Sequence, residues 1–140
     1  MPIEFDPETH IRSIARTPDA KLLAPDGSVL TGIMGVAGVA EVIDAGMEIG
    51  IDRLHMEQGA EFELHTHPGA HVLYVLKSCG YIHVDGVDYE IGEGDTVYVP
   101  ANYAHGVRTN PAVSKPFELL SFGVPHMPIS STERMTIVAN

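Results

Sequence analysis

His65-Thr66-His67-Pro68-Gly69-Ala70-His71 places three imidazoles within seven residues. On an extended strand, residues i and i+2 point to the same side, so His65 and His67 aim at one point. Pro68 and Gly69 then turn the chain, and His71 opens the next strand beside them. Three imidazoles from a strand–turn–strand can converge on one ion, as metal ligation requires. Three is an incomplete set for a structural site. The natural fourth is His105, in Pro100-Ala101-Asn102-Tyr103-Ala104-His105. A sheet that folds back on itself brings the strand ending at Pro100 beside the first pair. His-x-His pairs also arise by chance on exposed strand faces, so the surroundings decide.

Those surroundings are short strands. Phe62 to His67 precedes the turn, and Val72 to Leu76 follows it as a continuous apolar run of the kind found in a strand buried on both faces. Ser28 to Met34 is entered by the turn signal Pro25-Asp26-Gly27. Met47 to Met56 alternates, with Ile49, Ile51, Arg53 and His55 on one face, until Gly59 breaks the run. Tyr81 to Val84 and Val87 to Ile91 flank Asp85-Gly86, a strong hairpin signal. Thr96 to Val99 ends at Pro100, and Phe117 to Val124 ends at Pro125. About eight short strands with glycine-centred turns argue an all-β sandwich or barrel, which also hides most strand edges. Three stretches follow: an N-terminal arm at 1–27, a β-barrel at 28–126, and a tail or edge strand at 127–140. The arm carries a helical turn or two over Thr9 to Arg16, and is either a strap across a neighbouring subunit or a loosely packed lead-in. In the tail, Met135 to Val138 is the candidate strand.

Composition narrows the function. The chain has 140 residues, enough for one domain with a real core. Acidic residues outnumber basic ones 19 to 8, a formal net charge of −11. That balance repels a phosphate backbone and excludes nucleic acid as a partner. It also means that an anionic ligand must be attracted locally, by a metal or an arginine. The single cysteine, Cys79, rules out an intrachain disulfide framework and fits a reducing compartment. No apolar run approaches the length of a membrane span, and the N-terminus has acidic residues where a signal peptide would be basic. A soluble, cytoplasmic protein without a membrane partner is expected. No Ser-His-Asp or Cys-His arrangement, phosphate loop or dinucleotide fingerprint is evident.

Two longer motifs resemble those of the cupin superfamily. Gly59-Ala60-Glu61-Phe62-Glu63-Leu64-His65-Thr66-His67, continuing through His71 to Ser78, is similar to the first cupin motif. Gly94-Asp95-Thr96-Val97-Tyr98-Val99-Pro100, continuing through Asn102 and His105 to Thr109, is similar to the second. The resemblance implies a small jelly-roll barrel of six to eight strands, commonly a homodimer, with one divalent transition metal in its mouth. His71 stands where the family usually has a glutamate, so the implied ligand set becomes His65, His67, His71 and His105. Ser78, Asn102 and Thr109 replace two glycines and an asparagine of the family pattern. Asn102 tolerates a left-handed turn, and Gly80 is expected to take the strain that Ser78 introduces.

Four neutral imidazoles leave a divalent ion with its full charge, which favours an anionic ligand such as a carboxylate or enolate. Imidazole suits iron, zinc, nickel and copper, and the resemblance adds manganese. In an octahedral shell two positions remain, enough for a bidentate substrate or for substrate with dioxygen. Arg53 shares parity with Ile49 and Ile51; it either faces inward as a substrate anchor or lies on the surface near the rim. Tyr103 and Asn102, in the loop before His105, are placed to border the pocket. Tyr74 and Tyr98 are read as core, Cys79 as structural, and His10, His55, His83 and His126 as outside the ligand set. The leading functional expectation is a metal-dependent oxygenase of the dioxygenase type acting on a small anionic molecule. The alternatives are a non-redox isomerase, cyclase or lyase, and a binding cupin without catalysis.

Overall fold

Turn chemistry cuts the chain into short strands. Asp85 and Gly86 both adopt positive φ (52° and 78°), the geometry that folds a tight hairpin with the right twist. The computed structural model describes residues 7–11, 13–37, 50–124 and 135–138. A four-residue helix, α1 (Pro7–His10), precedes β1 (Ala20–Leu23), β2 (Val29–Ala37), β3 (Gly50–Met56), β4 (Glu61–Thr66) and β5 (Ala70–Lys77). Then come β6 (Cys79–Val84), β7 (Val87–Gly92), β8 (Thr96–Val99), β9 (His105–Thr109), β10 (Phe117–Val124) and β11 (Thr136–Ile137). They form two antiparallel sheets, ordered β1-β2-β3-β10-β5-β8 and β11-β4-β9-β6-β7. This is the all-β, double-layered architecture expected from the sequence. The chain folds back so that β9 lies between β4 and β6, and β10 between β3 and β5.

Alternation along each strand builds the core. β3 sends Leu54 and Met56 inward, β5 sends Leu73 and Val75, and β10 sends Phe117 and Leu119; from the other sheet Phe62, Ile82, Ile91 and Val107 meet them. Leu22 of β1 is fully buried in this cluster, so the stretch read as an arm supplies a core strand. In the tail, β11 pairs with β4 and Met135 is buried. His126 and most of the tail lie outside the described residues, as do Met47 to Ile49.

Three expectations are corrected. β5 is buried on one face only: Val72 is 39% exposed. Tyr74 and Tyr98 are exposed rather than core residues, Tyr98 by 67%. These side chains share the outer face of the six-stranded sheet with Phe122, opposite Val72 in the register. Apolar residues on both faces mimic a doubly buried strand. Ser78 itself takes the left-handed conformation (φ 68°), while Gly80 serves another purpose. A Cβ at Gly80 would press on the Arg108 carbonyl oxygen and lie 2.5 Å from the Phe117 ring. The glycine is needed there for close approach of β6 to β9, and not for positive φ.

Candidate metal centre

A bulge aims the first histidines. Phe62 pairs with Val107 and His65 with His105, so β4 spends three residues where β9 spends two. The extra residue lets both Phe62 and His65 face inward, although they differ in parity. Gly106 sits against this bulge, where a Cβ would lie 3.0 Å from the Phe62 oxygen. The Pro68-Gly69 turn then delivers His71 at the start of β5. Asn102, in a left-handed conformation (φ 60°), donates its backbone N–H to the His67 carbonyl at 2.8 Å. That bond ties the loop carrying His105 to the strand end carrying His67. Thr109 ties the far ends of the two motifs: its hydroxyl accepts from Gly59 N–H and donates to the Ala60 carbonyl.

All four expected histidines line one cavity. His65, His67 and His105 bring ring nitrogens to within 4.8 Å of one another. His71 stands beside them, its ring centroid 4.5 Å from that of His67 and 5.1 Å from that of His105. Ring orientation follows from the main chain. His65 Nδ1 lies 2.6 Å from the Glu63 carbonyl, His67 Nδ1 2.6 Å from the Gly69 carbonyl, and His105 Nδ1 2.8 Å from the Tyr103 carbonyl. A carbonyl only accepts, so each Nδ1 carries the proton and each Nε2 keeps its lone pair. His105 Nε2 is buried with no hydrogen-bond partner, an arrangement that costs free energy unless an ion or ligand supplies one. Burial depresses the His105 pKa to about 4, helped by the nearby His67 and opposed by the Tyr103 carbonyl. The ring is therefore neutral at physiological pH, the form that binds a metal. The donor set fits a divalent transition ion.

The cavity has a volume of about 70 Å³ and opens to solvent. Leu54, Phe62, Leu73, Val107 and Met135 make its apolar wall, and Asp52 and Ser121 add polar groups. Arg53 is not in it. Strand parity turns Arg53 to the outer face, where it pairs with Glu118 and Asp19, each at 3.2 Å. Its neighbour Asp52 faces inward instead and is only 3% exposed. Sequence reading missed Asp52; its parity with Leu54 and Met56 was the available signal. Tyr103 is exposed and donates its hydroxyl to Asp85, so it serves the centre through its backbone carbonyl. His55 lies 3.5 Å from Glu118 and His83 2.7 Å from Asp88, both away from the cavity.

Comparison with known proteins follows the same lines. No curated protein sequence matches the chain. Among solved structures, an RmlC-like cupin from Shewanella frigidimarina superposes with a TM-score of 0.63 at 21% identity, over 81% of this chain and 88% of that one. The polyketide cyclase RemF from Streptomyces resistomycificus gives 0.58 at 18% identity, over 66% and 65%. Salicylate 1,2-dioxygenase from Pseudoaminobacter salicylatoxidans gives 0.59 at 19% identity over 70% of this chain, but only 26% of that one. At such identities the likeness speaks to fold. The cupin domain profile matches residues 52–123, just over half of the chain and both histidine motifs. The chain belongs to the cupin family.

Proposed function

We propose that this protein is a metal-dependent enzyme acting on a small anionic organic molecule, with oxygenase chemistry of the dioxygenase type. The observation that carries the reading is the gathering of His65, His67 and His105, with His71 beside them, in a cavity open to solvent. A purely structural metal site is closed, whereas a reactive one keeps a reachable position. A bound divalent ion would supply Lewis acidity and, if redox-active, electron exchange with dioxygen. The chain does the rest. Backbone carbonyls at Glu63, Gly69 and Tyr103 hold three rings in one tautomer. The apolar wall of Leu54, Phe62, Leu73, Val107 and Met135 limits the water that reaches the reacting groups from the barrel side. No lysine or arginine lines the cavity among the described residues, so an anionic group of the substrate finds its countercharge at the ion.

A second reading, non-redox isomerase, cyclase or lyase chemistry, is favoured by Asp52, a buried carboxylate on the cavity wall and a residue type suited to proton handling. Homodimer formation belongs to the same proposal, supported by the apolar outer face at Val72, Tyr74, Tyr98 and Phe122. The test begins with elemental mass spectrometry of the purified protein, followed by turnover assays on small carboxylates in air and under nitrogen. Stoichiometric metal and turnover that stops under nitrogen and after EDTA support the oxygenase. Turnover that persists under nitrogen selects the second reading, and binding without turnover selects a non-catalytic module. No metal, even after reconstitution, overturns all of it.

A further inference from the structure

His105 opens β9 at the end of loop 100–104, which carries the chain from β8 in one sheet to β9 in the other. Tyr103 links that loop in two directions. Its carbonyl accepts from His105 Nδ1 at 2.8 Å, and its hydroxyl donates to Asp85 Oδ2, also at 2.8 Å. Its own N–H reaches the Pro100 carbonyl at 3.2 Å, and the Asn102 N–H reaches the His67 carbonyl. The carbonyl that orients His105 is thus carried by a peptide outside any strand, held by its neighbours and by one side-chain bond.

The position of Asp85 follows from the β6–β9 ladder. His83 lies opposite Gly106, and the same register carried two residues further brings Asp85 level with Ala104. Asp85 and Gly86 form the tight turn between β6 and β7, both with positive φ. Asn-Gly and Gly-Gly close such a turn as well as Asp-Gly does, so the turn by itself does not call for a carboxylate. The carboxylate is spent on Tyr103, in a charge-assisted bond stronger than one between neutral groups. Both side chains are exposed, and neither lines the histidine cavity.

We propose that Asp85 and Tyr103 are positioning residues for His105: their side-chain bond holds the Tyr103 carbonyl in the direction that aims His105 Nε2 into the cavity. The proposal rests on the metal-site reading above and extends the centre outward to the β6–β7 turn. Breaking the bond leaves the carbonyl in place and frees only the peptide that carries it. The effect is therefore smaller than the loss of His105 itself, and it falls on ring orientation, where a deviation of about 10–20° already matters.

The full chain loaded with Co²⁺ provides the test. Affinity is read by competition with a chromophoric chelator, and the visible bands of the ion report the geometry of its ligands. Tyr103→Phe removes the donor without changing charge. Asp85→Gly removes the acceptor and keeps a residue that the turn accepts, while Asp85→Asn removes the same charge but keeps an acceptor. Tyr103→Phe and Asp85→Gly are each expected to weaken Co²⁺ binding about fivefold, the worth of one net hydrogen bond, and to shift the visible bands alike. The double variant is expected to lose no more than either single one, because both remove the same bond. Asp85→Asn is expected to recover most of the affinity and the wild-type bands. Circular dichroism checks the fold of each variant, and Tyr103→Phe stands alone if Asp85→Gly does not fold. Wild-type affinity and bands in Tyr103→Phe, or losses that add in the double variant, overturn the positioning role and leave the metal site standing. Failure of the wild-type protein to take up Co²⁺ overturns both.

Discussion

His65, His67 and His105 each rest Nδ1 on a backbone carbonyl, at 2.6, 2.6 and 2.8 Å, whereas His71 has Ser121 Oγ at 3.4 Å. The first three are positioned by the path of the main chain itself. Their braces come from a bulge, a Pro-Gly turn and a left-handed loop, and no side-chain substitution at the bracing residue removes a carbonyl. For the fourth, the described contact at Nδ1 is a side-chain hydroxyl at the limit of hydrogen-bonding distance. The same three supply the close cluster of ligand atoms. Imidazoles held by backbone behave as fixed ligands; one held by a side chain behaves as an adjustable one.

The largest effect expected is from His65→Ala with His67→Ala: metal content by elemental mass spectrometry falls from near one ion per chain to background. Single substitutions sharpen the contrast. If a structural-site binding energy of about 10–16 kcal/mol is shared among four ligands, His105→Ala weakens affinity by about 3 kcal/mol, roughly a hundredfold. His71→Ala is expected to cost about tenfold or less, read by competition with a chromophoric chelator. Equal losses at the two positions would erase the distinction between them. Ser121→Ala has the smallest effect, at or below the roughly tenfold lower bound for an outer partner of a ligand. Thermal melting of the metal-free protein should then match the wild-type curve.

Much of this was legible in local chemistry. His65 and His67 share a face because strand side chains repeat every two residues, and Pro68-Gly69 dictates the turn to His71. Asp85-Gly86 dictates a hairpin in the same way, and Asn102 was correctly placed in a left-handed turn. What escaped notice needs more than parity. The outer face of the six-stranded sheet carries Val72, Tyr74, Tyr98 and Phe122, so apolar character does not mark the inward side. For β3 this made Ile51 and Arg53 as good a candidate for the core face as Asp52 and Leu54, and the structure uses the latter pair. The extra residue between Phe62 and His65 is equally silent, since a bulge is visible only against its partner strand. β1 lay hidden in a proline-rich lead-in, because Leu22 meets the core through pairing with β2 and not through a pattern of its own.

The bond from Asn102 N–H to the His67 carbonyl has a consequence for the order of events in making the protein. It closes the two halves of the centre against each other by backbone alone, over a core of leucine, valine and phenylalanine that owes nothing to an ion. Folding is therefore expected to precede loading, the reverse of a zinc finger, whose chain waits for its metal; the check is a cooperative thermal melt of the protein after EDTA treatment. A socket finished in advance discriminates weakly among ions that imidazole accepts, so its occupant reflects which of them is in supply when the new chain is released.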